Sequence, residues 1–364
     1  MRLITAFFVL AIACTADAQF VAISSTGSGG RTSGVGRPPA LLPNGDVFIV
    51  NGYGAAELYQ AQTRVFVNAG LLPVQMLYGV ASIALADGRA VVTGGGNSNI
   101  DLRNFVLLWN PLSRSFRQIT GMFSGRMQHA MVQLDADTLL IVGGDGSAET
   151  WEIYDLRQEK PLTSGVLPVA LNNVTAMDHP SGKIVFLGGT NAVVFDRITR
   201  SFAVGHGLPA GSPGGTATAM LADGRILVTG GIRPGGPGLK GMTNALMFDP
   251  FTGQQESVAP MLNARFWHAA TRLPSGKVLI TGGSDDCVGS CRPAIAPAEI
   301  FEPSTKSFSS IESLNFPRLN HVPVRLPSGN VLFVGGENGT DNLPGPELYV
   351  TEGSGPPRRR AVRH

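Results

Sequence analysis

Seven short apolar runs, each closed by a glycine pair or its near equivalent, recur along this chain and limit its folds more than any other feature. They occupy residues 48–52, 91–95, 140–144, 185–189, 227–231, 279–283 and 333–336. Val91-Val92-Thr93-Gly94-Gly95 is typical, and in the first copy Asn51 stands where the others have their first glycine. The leading positions 51, 94, 143, 188, 230, 282 and 335 are spaced by 42 to 53 residues. A period of this size marks one supersecondary unit, repeated so that neighbours bury what a single copy leaves exposed. Seven units fill residues 19–364, which overrides the two domains that 364 residues would otherwise suggest.

Each unit reads as four short strands. The first ends in a turn such as Leu85-Ala86-Asp87-Gly88 or Leu273-Pro274-Ser275-Gly276, where glycine supplies the positive φ of a hairpin. The second is the apolar run, and because it does not alternate, both its faces are expected to be buried between other sheets. The third follows a glutamate–aliphatic–aromatic pattern: Glu57-Leu58-Tyr59, Glu152-Ile153-Tyr154, Glu299-Ile300-Phe301 and Glu347-Leu348-Tyr349. Phe66, Phe116, Phe202 and Phe308 mark the fourth. With 47 glycines, 25 prolines and no stretch of 3.6-residue apolar period, the chain is built for turns and strands. The seventh unit lacks a fourth strand, and Gln19-Phe20-Val21-Ala22-Ile23 at the other end resembles Ser307-Phe308. The N-terminal strand is therefore expected to complete the last sheet and close a ring, which pairs two edges that would otherwise be open.

The order Arg-x-x-His-Ala, glycine–basic–aliphatic run–Gly-Gly, then glutamate–aliphatic–aromatic–acidic–Pro resembles the kelch repeat. Residues from Arg265-Phe266-Trp267-His268-Ala269 to Glu299-Ile300-Phe301-Glu302-Pro303 form the clearest copy. The copies near residues 79 and 169 lack Arg-x-x-His, and the latter also lacks the glutamate. The resemblance spans nearly the whole chain after residue 18. It implies an all-β, seven-bladed β-propeller over 19–352, one four-stranded blade per unit, with the last blade completed by the N-terminal strand.

The termini read differently. Met1-Arg2, the apolar stretch from Leu3 to Ala13 and Ala16-Asp17-Ala18 form a leader expected to be cleaved after residue 18, placing the protein outside the cytoplasm. The stretch is too short to remain as a spanning helix. Lipidation at Cys14 is a minor alternative, because Ala11-Ile12-Ala13 lacks the usual leucine. In an oxidising compartment Cys287 and Cys291 are expected to form a local disulfide. The net charge of +2 comes from Arg358, Arg359, Arg360 and Arg363 in a tail, 353–364, expected to be disordered. Residues 19–354 carry a balance of −2, which argues against nucleic acid as a partner.

In a propeller, the loops after the glycine pairs and the loops leading into each first strand share one face, with the hairpin turns on the other. The post-glycine loops vary most: Thr190-Asn191 is nearly no loop, whereas 232–244 and 284–297 are long. Such loops on a rigid ring are where binding concentrates. The candidate ligand-binding residues on this rim are Arg126, Arg265, Arg318, Arg233, Lys240, Asp285, Asp286 and Asn338. The first three either converge on an anion or hold blades together. Their neighbours His129, His268 and His321 repeat at one position of the unit, which favours a structural role over a metal cluster. Asp285-Asp286 lacks the further oxygens a calcium ion wants. Gly94-Gly95-Gly96 imitates a phosphate loop without the helix that chemistry needs.

The function expected from these readings is a non-catalytic, exported and monomeric module with no cofactor. It would bind an unknown protein or glycan through its variable-loop face. The alternative is a copper-radical oxidase, since galactose-oxidase-like enzymes use a seven-bladed kelch propeller. That resemblance implies a cysteine cross-linked to tyrosine, a second tyrosine and two histidines. Tyr59, Tyr154 and Tyr349 occupy repeated core positions, so only Tyr53 and Tyr78 remain, and the ligand set does not map onto this chain.

Overall fold

The computed structural model describes residues 18–23, 39–51, 54–74, 78–96, 101–210, 212–234, 238–287, 293–339 and 345–351. Residues 1–17 of the leader, Tyr53, Cys291 and the whole tail at 353–364 lie outside these residues. Among the described residues there is no helix. The strands form seven four-stranded antiparallel sheets and one two-stranded sheet. Blades 1 to 6 comprise residues 40–71, 81–119, 130–166, 175–205, 217–257 and 269–311, each in simple chain order from first strand to fourth. Blade 7 takes three strands from 322–350 and its fourth from Gln19–Ala22, which pairs antiparallel with Glu347–Val350.

No single central core holds the molecule together. Seven apolar clusters occur, one at each interface between successive blades, including the interface of blade 7 with blade 1 that closes the ring. The uninterrupted apolar runs are explained by this arrangement. Val47–Val50, Ala90–Thr93, Ile226–Thr229, Val278–Thr281 and Val331–Val334 are buried at every residue, one face against each neighbouring blade.

The aromatic markers of the third and fourth strands meet across the sheet. Tyr59 faces Phe66, Phe195 faces Phe202 and Phe301 faces Phe308, with ring centroids 4.9–5.1 Å apart. Phe20 makes the same pair with Tyr349 at 5.0 Å and also reaches Phe333 at 5.8 Å. The N-terminal strand thus supplies the aromatic that blade 7 lacks. Deleting residues 19–23 removes this strand and its buried ring, worth roughly 1.5–3 kcal/mol for the phenylalanine alone. A lowered calorimetric melt is the expected result, and an unchanged melt would place the closure elsewhere.

Candidate functional site

The glycine pairs owe their composition to the blade that follows. In Gly94-Gly95, Gly230-Gly231 and Gly282-Gly283 every residue has positive φ. A Cβ on the first of each pair would run into the backbone carbonyl of Arg126, Arg265 or Arg318. The second glycine donates its N–H to that same carbonyl at 2.8–2.9 Å. The arginine backbone is therefore clamped to the preceding blade while its side chain turns into its own.

Inside its blade each arginine meets the glutamate of the third strand. Arg126 pairs with Glu152 at 2.5 Å, Arg265 with Glu299 at 2.7 Å and Arg318 with Glu347 at 2.8 Å. The same guanidinium groups donate to the carbonyls of Gly143, Gly282 and Gly335 at 2.8–3.1 Å. The glutamates also accept backbone N–H groups from the loop before each arginine: Phe123 and Ser124, Leu262 and Asn263, Asn315 and Phe316. Burial pulls each guanidinium below its ordinary value, and the paired glutamate opposes that pull. The rim role expected for Arg126, Arg265 and Arg318 is thus corrected, because all three are 0% exposed and fasten the incoming loop to the third strand.

The three histidines fasten one blade to the next. Nε2 of His129, His268 and His321 lies 2.8–2.9 Å from the hydroxyl of Thr93, Thr229 and Thr281 on the second strand of the preceding blade. The Thr229 hydroxyl also donates to the Ala217 carbonyl at 3.4 Å, which fits a neutral ring with its proton on Nε2. Nδ1 has no hydrogen-bond partner in any of the three. Burial drives His129 down to about 3 and the other two well below the usual imidazole value, with the neighbouring arginines adding to the effect.

The remaining rim residues divide. Arg233, Lys240, Asp285 and Asp286 come together where the long loops of blades 5 and 6 meet. Leu239–Lys240 pairs antiparallel with Asp286–Cys287 as the separate two-stranded sheet. Arg233 N–H donates to the Lys240 carbonyl and Gly241 N–H to that of Asp285, both at 2.7 Å. The Lys240 ammonium pairs with the Asp286 carboxylate. Asn338 belongs to the loop of blade 7, outside this sheet. Cys287 is buried at its edge.

Beside this crown lies a feature the motif reading missed. An open pocket of about 350 Å³ sits between blades 4 and 5, with Asn173, Thr190, Ser212 and Thr216 among its lining residues. Blade 4 is where the post-glycine loop shrinks to a two-residue turn, Gly189-Thr190, between paired Gly188 and Asn191. The missing Arg-x-x-His signature and the shortened loop at this unit were the available signals.

No protein-family model matches the sequence, and no curated protein matches it. In structure the chain is similar to a novel fungal alcohol oxidase of the AA5 family in complex with copper. The TM-score is 0.68 and the identity 17%, covering 92% of this chain and 76% of the other. At that identity the similarity shows the seven-bladed fold.

Among the described residues no group of three or more His, Cys, Asp and Glu side chains is placed to hold a metal. The three buried histidines are bonded to threonines at separate blade interfaces. Tyr59 and Tyr154 are 0% exposed in the blade cores, Tyr154 donating to the Thr120 carbonyl at 2.6 Å. Among the described residues no helix is long and apolar enough to cross a membrane.

Proposed function

We propose that this chain is an exported, non-catalytic propeller of the kelch type that binds a protein or carbohydrate through its variable-loop face. The crown of blades 5 and 6 carries the reading. Two insertions from adjacent blades meet as a paired sheet, held by backbone hydrogen bonds and the Lys240–Asp286 ion pair. Side chains already held on a paired sheet before a ligand arrives lose less entropy on binding.

The test is a binding screen of purified protein beginning at Gln19 against glycan and surface-protein arrays. A second preparation has residues 234–239 and 286–292 replaced by short glycine–serine links. Loss of binding with an unchanged melt is expected for the shortened protein, whereas full binding would remove the crown from the reading. Export is supported by the leader pattern, and N-terminal sequencing of secreted material should begin at Gln19. The disulfide between Cys287 and Cys291 should appear as a linked peptide in unreduced digests, while two free thiols would overturn it.

The copper-radical oxidase remains the second reading, supported by likeness to the AA5 enzyme at the level of fold. Peroxide release from alcohols or sugars by copper-treated protein, absent without copper, would put it first.

A further inference from the structure

We infer that the pocket between blades 4 and 5 is a subsite for a small, uncharged, hydroxyl-rich ligand, a neutral sugar unit. This rests on the binding reading above and names a ligand class and a place for it.

Among the described residues, the junction of blades 4 and 5 differs at this face from four others. Blades 2 and 3, 3 and 4, 5 and 6, and 6 and 7 are each joined at this face by two backbone hydrogen bonds. One joins successive lead-in loops: Gln128 N–H to Gly79, Val174 N–H to Gln128, Trp267 N–H to Gly215 and Asn320 N–H to Trp267, at 2.7–2.9 Å. The other runs from the glycine pair to the next blade: Gly95 to Arg126, Gly144 to Leu171, Gly231 to Arg265 and Gly283 to Arg318, at 2.8–2.9 Å. Among the described residues the junction of blades 4 and 5 has neither bond. A Cβ added to Gly188 there would meet Leu171 and Asn172 of its own blade and one on Gly189 nothing within 4 Å, whereas at Gly94, Gly230 and Gly282, the equivalents of Gly188, it would strike the next blade. The rest of the junction is closed, by the apolar cluster around Phe248, by His179 against Phe251 at 4.5 Å and by His206 N–H to the Pro250 carbonyl at 2.8 Å.

The lining sets the ligand class. Asn173, Thr175, Thr190, Ser212, Thr216 and Thr218 offer hydroxyl and amide groups, Leu187, Leu208 and Pro213 offer apolar surface, and no lining side chain is ionisable. An ion would lose hydration here with no countercharge, and a hydrocarbon would set apolar surface against the hydroxyl and amide groups of Asn173, Thr190, Ser212, Thr216 and Thr218. A neutral sugar matches both kinds of surface, its hydroxyls meeting groups that donate and accept and its C–H face meeting the leucines and proline. At about 350 Å³ the space lies toward the small end of ligand pockets.

The test is saturation-transfer NMR and calorimetry of the protein from Gln19 onward with glucose, galactose and mannose and their oligosaccharides. Glucuronate is the charged comparison. Thr216→Val combined with Thr218→Val removes two hydroxyls at constant shape and should weaken binding about tenfold. Ser212→Trp, on the lead-in loop, fills the space and should abolish binding with an unchanged melt; it decides the matter if the double variant fails to fold. Affinity rising with oligosaccharide length identifies a polymer as the source, and constant affinity a free sugar; either supports the subsite. Equal binding by the filled variant, or binding of glucuronate alone, overturns it. If no sugar binds while the crown still captures a partner, this inference falls alone; if nothing binds at all, the binding reading falls too.

Discussion

Arg265→Ala should lower the unfolding free energy of the propeller by about 3–5 kcal/mol, the cost of leaving one partner of a buried ion pair uncompensated. Glu299 would be left at 0% exposure without its cation, facing only the N–H groups of Leu262 and Asn263 and the Asn263 amide. Arg126→Ala and Arg318→Ala should behave alike, because their pairs with Glu152 and Glu347 are equally buried. Replacing both members, Arg265→Met with Glu299→Leu, should be milder than either single change, since no buried charge is then stranded. Denaturant unfolding followed by tryptophan fluorescence measures all four. A loss below about 1 kcal/mol, the range of an exposed pair, would return these arginines to the list of rim candidates.

Acid should destabilise the protein from a higher pH than carboxylates alone predict. His129 is held neutral down to about 3 in the native state, against 6.5 for an ordinary imidazole, and His268 and His321 are shifted in the same direction. Between these limits the unfolded chain binds more protons than the native one. Stability is therefore full above about pH 6.5 and falls as the pH drops toward about 3. The slope approaches about 1.4 kcal/mol per pH unit for each histidine. Unfolding midpoints measured from pH 7.5 to 4.5 should show the decline beginning near 6.5, above the range where carboxylates titrate. His129→Gln, His268→Gln and His321→Gln together should flatten that upper part of the curve. A wild-type profile flat between pH 7 and 5 would mean the rings take up protons in the native state as readily as in the unfolded chain.

Much of the fold was legible because it is written in local patterns repeated seven times. Asp249-Pro250-Phe251-Thr252-Gly253 shows why. Its aspartate accepts the N–H groups of Phe251 and Thr252, and Gly253 takes positive φ, so turn and register follow from five residues. Phe20 was recognisable as a displaced fourth strand for the same reason, since its match to Phe308 depends only on nearby sequence.

The candidate site was legible only in part. Arg126 reads identically whether its guanidinium faces a ligand or Glu152, which is 26 residues away on the third strand of the blade. The latch between blades had a trace that was readable in principle. Thr93, Thr229 and Thr281 precede the glycine pair in the units just before His129, His268 and His321, but only the packed ring shows that the two meet.

The sequence by itself determined the strand pattern, the seven-fold repeat and the closure by the N-terminal strand, because turn chemistry and side-chain periodicity act within a few residues. The tertiary structure alone decided that three arginines are fasteners, that two long loops meet in one crown and that a pocket lies between blades 4 and 5. Each of these depends on what stands across a blade interface, and a missing contact such as the one beside Gly189 leaves no residue pattern of its own.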